Sequence, residues 1–259
     1  MQRDFTSPTL LLALTVVLAV FGSLPTSGTA HAQTPVLTVV ADEWPPFSGK
    51  DLPGQGMSPD VIAQVLKRAG YRAEVSILPW ARIMHGVRAE TAEFQIIGSL
   101  FYDDELAGLI DYSNAYVETE VKFVRRVGTD ADFKDLSSLQ SYSIAVGDGF
   151  LYEDGFDRAQ ELNKVVVTTA LQGVQLVAAG RADLTLDSSD VIDYAVSVQD
   201  PTLEGKIEYL DKVLATRGIH MAVMSNVPNR EQIIDDFNAA LRSMSDDGSL
   251  DRLLARHRR

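Results

Sequence analysis

The chain has 259 residues, no cysteine and a formal net charge of −13. The lack of cysteine excludes disulfides, thiolate metal ligands, a cysteine nucleophile and the lipid-bearing cysteine of bacterial lipoproteins. A surface this acidic repels nucleic acid and anionic lipid, so we expect neither as a partner.

Residues 1–32 have the order of features that is typical of a secretory signal peptide. Arg3 stands in a short polar start, an apolar run follows from Leu10 to Phe21, and a small-residue site follows at Ala30-His31-Ala32. We therefore expect cleavage after Ala32 and a function outside the cytoplasm. The alternative, a membrane anchor, is disfavoured because a spanning helix needs about 20 apolar residues.

After this segment, short β-rich runs alternate with amphipathic helices. The first helix is expected to have Ser58 as its N-cap, Pro59 in its first turn and Gly70 at its end. The predicted elements are a strand at Val36–Ala41, the helix from Ser58 to Gly70, a strand through Ala73, Val75 and Ile77, a helix with Trp80, Ile83, Met84 and Val87 on one face, and a strand at Phe94–Ile97. This order predicts a mostly parallel, layered α/β sheet.

A second unit repeats the same alternation of strands and helices without repeating the sequence. Its predicted elements are a strand at Tyr142–Val146, a helix from about Leu151, a strand at Lys164–Val167, a helix at Thr169–Ala179, a strand at Leu184–Leu186 and a helix from Ser188 or Ser189. A strand at Ile219–Met224 and two helices end the chain, the first with Asn229 and Gln232 in a capping box. Two such units without a long linker predict two lobes that face each other across a cleft.

The expected binding site lies beyond the carboxyl ends of the strands, where open α/β sheets bind their ligands. The first strand is followed by Glu43 and Trp44, the second by Trp80 and Arg82, and the third by Gly98, Ser99 and Phe101. In the second unit, one strand leads to Asp148, Gly149 and Phe150, and another leads to Asp187 and Ser188. Both tryptophans therefore stand at strand exits. Core packing of these aromatic side chains is the alternative interpretation.

At these positions the chain resembles the bacterial extracellular solute-binding proteins of family 3, the periplasmic receptors of amino-acid-type ABC importers. The resemblance rests on Glu43–Phe47 (EWPPF), Gly56–Val61 (GMSPDV), Asp111–Tyr116 (DYSNAY) and Ala179–Asp183 (AGRAD), together with the terminal helices. It implies an α/β, two-lobed type II periplasmic-binding-protein fold, a clamshell with mixed sheets and a ligand cleft between the lobes.

The resemblance also implies the domain organisation and the partners. Lobe 1 would comprise residues 33–122 and 218–259, lobe 2 residues 123–217, and the hinge two crossing strands near Val121–Val124 and Ile219–Met224. The protein would be a periplasmic monomer that binds a small-molecule ligand, needs no cofactor, and delivers the ligand to an ABC permease at the inner membrane.

Several positions depart from the pattern of the family's amino-acid receptors. Leu106 stands where the arginine for the ligand carboxylate is expected, Phe150 and Leu151 stand in place of paired hydroxyl residues, and Ser188 stands in place of an aspartate, beside Asp187. Two hypotheses follow. Either Arg82 supplies a cation for a carboxylate, with Trp44 and Trp80 as apolar walls, or the acidic residues Asp42, Glu43, Asp148 and Asp187 surround a cationic ligand.

We expect a receptor of a small polar or carboxylate-bearing solute, without catalysis. One alternative is an enzyme on the same fold, similar to the dehydratases of cyclohexadienyl acids such as prephenate, with Glu43, Asp148 and Asp187 as acid or base candidates. Another is a ligand sensor that docks to a membrane receptor. His31 leaves with the signal, His257 lies in the basic tail, and His85 and His220 are isolated, so no metal site is predicted.

Overall fold

A computed structural model of the protein describes residues 34–91 and 93–257. The predicted signal peptide and its cleavage site lie outside these residues. The strands are β1 (Val36–Ala41), β2 (Arg72–Ile77), β3 (Ile96–Phe101), β4 (Ile110–Tyr112), β5 (Val117–Arg126), β6 (Ser143–Gly147), β7 (Asn163–Val167), β8 (Leu184–Ser188) and β9 (Ile207–Met224). The α-helices are α1 (Met57–Arg68), α2 (Trp80–Ala89), α3 (Asp154–Arg158), α4 (Ala170–Ala178), α5 (Ser189–Tyr194), α6 (Arg230–Asp246) and α7 (Ser249–His257).

The strands form one sheet in the order β2-β1-β3-β9-β5-β8-β6-β7, and β4 pairs with β9. At one end β1 runs parallel to β2 and β3, and at the other end β6 runs parallel to β7 and β8. We call these two groups the N-terminal and the C-terminal half-sheet. Between them β5 and β9 pair antiparallel to each other and to the inner strand of each half-sheet. The predicted parallel order of both units is confirmed, and the sheet as a whole is mixed.

Several strands are longer than predicted, and the extensions of β3 and β8 change where the candidate site residues lie. Gly98, Ser99 and Phe101 were expected beyond the third strand but lie inside β3, because Leu100 and Phe101 still pair with β9. Asp187 and Ser188 lie inside β8, because both pair with β5. The last predicted strand is the end of the 18-residue strand β9.

The helices largely follow the predicted apolar periodicity, but two predicted starts and one predicted capping box are wrong. Helix α1 begins at Met57, and Ser58 is buried without capping it. The helix expected from Leu151 is only α3, where the Glu153 side chain accepts a hydrogen bond from the N–H of Phe156. Asn229 adopts a left-handed conformation (φ 59°) and makes no capping hydrogen bond, so the predicted capping box does not form.

Two glycines are required by the backbone around α1. Gly70 follows the C-cap of α1 at φ 91°, which confirms it as the end of this helix. Gly56 precedes α1 at φ 104°, and a Cβ atom there would lie 2.6 Å from the carbonyl oxygen of Phe47. The close approach holds the loop after β1 against the start of α1.

One apolar cluster runs through both half-sheets and includes Val39, Ile97, Val223, Phe123 and Ile144. Helix α1 packs on β2 and β3, α6 packs on β4 and β9, and α7 packs on α1 and α6. Helix α4 packs on the C-terminal half-sheet. Across the ranges described, no helix is long and apolar enough to cross a membrane.

The C-terminal helix is attached to α1 rather than free. His257 was expected in a basic tail, but its Nε2 atom lies 2.9 Å from Oδ2 of Asp60. The imidazole is largely buried, because α7 places its apolar residues Leu250, Leu253 and Leu254 in the core.

Candidate functional site

A cavity lies between the two half-sheets, at the carboxyl ends of β1, β3, β6 and β8. It has about 470 Å³ of space that no atom fills, part of it open to solvent. Its lining residues are Asp42, Trp44, Trp80, Ser99, Leu100, Phe101 and Leu106 on the N-terminal side, and Phe150, Leu151, Tyr152 and Asp187 on the C-terminal side. A solute in this cavity would therefore contact both halves of the molecule at once.

Two buried carboxyl groups form the charged part of the lining. Asp42 follows β1 and is 7% exposed, and Asp187 in β8 is 2% exposed. Oδ1 of Asp187 accepts hydrogen bonds from the indole N–H of Trp44 (3.1 Å) and from its neighbour's backbone N–H (2.7 Å). Oδ1 of Asp42 and Oδ2 of Asp187 are buried without a hydrogen-bond partner among the described residues.

Burial raises the pKa of both carboxyl groups. The pKa of Asp42 rises to about 7, chiefly because burial penalises the charged form, and the charges of Asp187 and Glu43 add to the effect. Burial likewise raises the pKa of Asp187 to about 7, against the hydrogen bonds from the Ser188 backbone and from Trp44. Buried, partly unpaired carboxyl groups of this kind are typical of functional sites.

A bulge in β3 adds a hydroxyl group to the same region. The register between β3 and β9 shifts between Ile97 and Leu100, and Ser99 adopts a left-handed backbone conformation with φ 63°. The Ser99 hydroxyl is buried beside that of Tyr116, which also lies near the hydroxyl of Ser58. A non-glycine residue in this conformation is uncommon, and such residues cluster at functional sites.

The two tryptophans form aromatic walls and connect the half-sheets. The ring of Trp44 lies 4.7 Å from that of Phe47 and 5.2 Å from that of Phe101, in an edge-on arrangement with the latter. The indole N–H of Trp80 donates to the carbonyl oxygen of Gly149 across the cavity mouth at 2.9 Å.

Sequence reasoning missed Arg217, which lies in the part of β9 that was not predicted. Its guanidinium group donates to the carbonyl oxygens of Tyr152 (2.9 Å) and Tyr102, and its Cζ atom lies 5.2 Å from the centre of the Phe101 ring. The arginine thus connects one residue from each side of the cavity. A longer predicted β9 would have been the only sequence signal for it.

Of the predicted site residues, six line the cavity: Trp44, Trp80, Ser99, Phe101, Phe150 and Asp187. Leu106 and Leu151, which the resemblance assigned to polar positions of the family, line it as well. The other six predicted residues do not line it: Glu43, Arg82, Gly98, Asp148, Gly149 and Ser188.

Local contacts explain several of these placements. Glu43 is exposed and accepts a hydrogen bond from the backbone N–H of Lys50 (3.2 Å), and Arg82 is exposed on α2. Gly98 lies under α1, where a Cβ atom would come within 2.6 Å of Cδ1 of Ile62. The Ser188 hydroxyl is 2.6 Å from that of Thr119 on β5.

Comparison with known families gives one match over nearly all of the described chain. The model of the bacterial extracellular solute-binding proteins, family 3, matches residues 36–258. A comparison with curated protein sequences finds no match.

Solved structures match at low sequence identity. A histidine kinase sensor domain with similarity to periplasmic binding proteins aligns with a TM-score of 0.74 and 15% identity, over 85% of this chain and 95% of the other. A mutant of ArgBP from T. maritima aligns with a TM-score of 0.70 and 18% identity, over 85% and 94%. An ancestral amino-acid-binding protein, described as a precursor of cyclohexadienyl dehydratase, aligns with a TM-score of 0.67 and 21% identity, over 85% and 94%. These likenesses confirm the predicted two-lobed, type II periplasmic-binding-protein fold.

Proposed function

Because the chain belongs to family 3 of the bacterial extracellular solute-binding proteins, we propose that it captures one small solute between its lobes and delivers it to an ABC import permease. The observation that carries this proposal is the cavity itself, which both half-sheets line and which two tryptophan side chains bridge. Bound solute stabilises the closed arrangement, because it contacts both halves only when they are together.

The proposal assigns residues 33–122 and 218–259 to lobe 1 and residues 123–217 to lobe 2. In support, β5 and β9 are the two strands that connect the half-sheets, and they pair along most of β5. Rotation about this pair would open the cavity without breaking either parallel half-sheet. A permease complex could then distinguish the loaded receptor from the empty one.

The proposal also places the protein in the periplasm, as a monomer, after removal of residues 1–32. Its support is the order of charged start, apolar run and small-residue site in the sequence. Sequencing the N-terminus of the protein purified from the periplasm tests this part. A mature chain that begins at Gln33 is the expected result, and a retained apolar run would contradict it.

The binding test is a thermal-shift screen of residues 33–259 against amino acids, organic acids, amines and sugars. A cavity ligand at about 100 times its Kd adds roughly 2.7 kcal/mol of stability. Leu151 is half-buried and lines the cavity, so Leu151→Trp should abolish the shift. The matched control is Val198→Trp at a position that is 57% exposed, and it should leave the shift unchanged. A screen without any hit, or a hit that survives Leu151→Trp, would reject solute capture in this cavity.

Delivery to a permease has its own test. Deletion of the gene should abolish uptake of the radiolabelled solute that the screen identifies, and the wild-type gene should restore it while the Leu151→Trp gene should not. Unchanged uptake in the deletion strain would reject delivery while leaving solute capture intact.

A second candidate function is catalysis, which is favoured by the raised pKa values of the two cavity carboxyl groups. One neighbour in structure is a precursor of cyclohexadienyl dehydratase, so prephenate is the natural first substrate to test. Product formation that Asp42→Asn and Asp187→Asn both abolish would establish an enzyme. Recovery of unchanged prephenate after prolonged incubation would rule out this substrate.

A further inference from the structure

The formally charged residues that line the cavity all have one sign. Among its lining residues in the described chain, Asp42 and Asp187 carry formal charge and no lysine or arginine is present. Arg217 lies nearby, with its Cζ atom 5.2 Å from the centre of the Phe101 ring, but its guanidinium group already donates to the carbonyl oxygens of Tyr102 and Tyr152. Arg82, the cation expected from the sequence, lies outside the lining.

Each residue of the acidic pair has a carboxyl oxygen that lacks a partner. Asp42 and Asp187 line the cavity and are more than nine-tenths buried, and Oδ1 of Asp42 and Oδ2 of Asp187 accept no hydrogen bond from the described residues. Buried polar atoms in folded proteins nearly always have partners. Two unpaired carboxyl oxygens from two different segments therefore favour a ligand group that donates hydrogen bonds.

The rest of the lining is apolar. Leu106, Phe150 and Leu151 line the cavity, and Trp44 and Trp80 add aromatic surface. The face of an aromatic ring attracts a cation and repels an anion such as a carboxylate. The remainder of the ligand is therefore expected to be apolar, because a second polar or charged group buried among these side chains would lack a partner.

Building on the solute-capture function, we propose that the ligand is an organic monocation: a primary amine with a compact apolar body and no carboxylate. Its ammonium group pairs with the carboxyl groups of Asp42 and Asp187, and its body lies against Trp44 and Phe150.

This geometry disfavours both an amino acid and a diamine. The carboxylate of an α-amino acid is one carbon from the ammonium group, so it would lie next to two aspartates without a lysine or arginine of the lining to neutralise it. The second ammonium group of a diamine would lie among apolar side chains, where an unpaired charge is costly. A single positive charge at one end fits the lining.

The test uses matched probes that differ only in their polar groups. Isothermal calorimetry of residues 33–259 compares isoamylamine with leucine and 4-methylpentanoate, and phenethylamine with phenylalanine and 3-phenylpropionate. We expect at least one of the two amines to bind, with a Kd about tenfold or more below that of its amino-acid counterpart, and the simple acids not to bind. An amino acid or acid that binds as tightly as its matched amine, or the absence of binding by both amines, would overturn the proposal.

Substitutions of Asp42 and Asp187 test whether amine binding depends on these two carboxyl groups. Asp187→Asn and Asp42→Asn should each weaken amine binding about 10- to 100-fold, the usual effect of losing a charge-assisted hydrogen bond. The matched control is Asp211→Asn, which removes an exposed carboxylate and should leave the Kd unchanged. Thermal melting of the unliganded variants checks that they fold, and unchanged amine affinity in both folded cavity variants would overturn the proposal.

The screen separates this proposal from the proposed function. A different solute class that binds and is blocked by Leu151→Trp would overturn the amine assignment and leave solute capture standing. Failure of every solute class would overturn both.

Discussion

Both tryptophans of the protein donate a hydrogen bond across the cavity, but they do so in different surroundings. Each belongs to the N-terminal half of the cavity, and each donates its indole N–H to the C-terminal half. Trp44 donates to a carboxylate oxygen of Asp187 at 3.1 Å, and Trp80 donates to the carbonyl oxygen of Gly149 at 2.9 Å. By distance alone, the contact made by Trp80 is the shorter one.

The surroundings predict that the longer bond, made by Trp44, contributes more to stability. Trp44 is 7% exposed and packs between aromatic rings of the core, whereas Trp80 is half-buried at the mouth and Gly149 is exposed. Water can replace a lost partner at the mouth but not at the buried carboxylate, where an unpaired group bears its full cost of desolvation. We therefore expect burial and the charge of the acceptor, more than the length of the bond, to decide how much a hydrogen bond across the cavity contributes to stability.

Truncating the two tryptophans should give the largest difference. Trp44→Ala removes a core side chain and one donor to Asp187, so we expect it to lower the free energy of unfolding by about 3–5 kcal/mol. Trp80→Ala removes a half-buried ring and a bond to an exposed carbonyl, so we expect a loss of about 1 kcal/mol. Urea denaturation measures both values. Equal losses would contradict this expectation, because both tryptophans would then contribute equally to the free energy of unfolding.

The second expected effect is a pH dependence that originates at the buried site. Burial raises the pKa of Asp42 and Asp187 to about 7 from an ordinary value of 3.8. Between about pH 4 and pH 7 the folded protein therefore holds more protons than the unfolded chain, and the free energy of unfolding falls as the pH rises through this window. The fall should be on the order of a few kcal/mol, since each unit of pKa shift corresponds to about 1.4 kcal/mol.

Other groups act in or near this window and must be separated from the pair. The raised pKa of the partly buried Asp157, about 6, acts in the same direction, whereas burial lowers the pKa of His220, which acts in the opposite direction. Asp187→Asn isolates the contribution of the pair, with Asp211→Asn as control. In urea denaturation at about pH 5 and pH 7.5, Asp187→Asn should flatten the dependence and the control should retain the slope of the wild type. An equal slope in all three proteins would assign the dependence to groups outside the cavity.

The same contrast explains what the sequence could predict. Helices α1 and α6 and the strands β1 and β6 were predictable because their apolar residues repeat with a regular period and are buried along one face or throughout. Trp44 and Trp80 could be placed near the cavity because strand exits of a parallel sheet gather on one edge. The apolar period of an element and the position of its end depend on residues that are neighbours in the sequence, so these features could be predicted.

The buried carboxyl pair depends on contacts that span the chain. Asp187 meets Trp44 across 143 positions, and Arg217 meets Tyr102 across 115. The bulge at Ser99 arises from pairing with β9, so no pattern within β3 itself indicates it. Residues such as Arg82 looked equally suitable in the sequence, because a strand exit places a residue near the cavity without determining whether its side chain turns inward.

The smallest expected effect comes from removing only the donor of each tryptophan. Phenylalanine keeps an aromatic ring at the position and loses the indole N–H. At Trp80 we expect a loss of about 0.5 kcal/mol in the free energy of unfolding, because water can satisfy the freed carbonyl of Gly149. At Trp44 we expect about 1–3 kcal/mol, because Oδ1 of Asp187 keeps only its bond from the Ser188 backbone in a buried site.

Urea denaturation at about pH 7.5, where the pair is mostly ionised, gives both values. Repeating the measurement at about pH 5, where the Asp187 carboxyl is protonated, should reduce the loss for Trp44→Phe and leave that for Trp80→Phe unchanged. A neutral carboxyl is a weaker acceptor than a carboxylate, so less is lost with the donor. If the loss for Trp44→Phe does not depend on pH, the bond to Asp187 is not the source of the difference between the two tryptophans, and packing alone accounts for it.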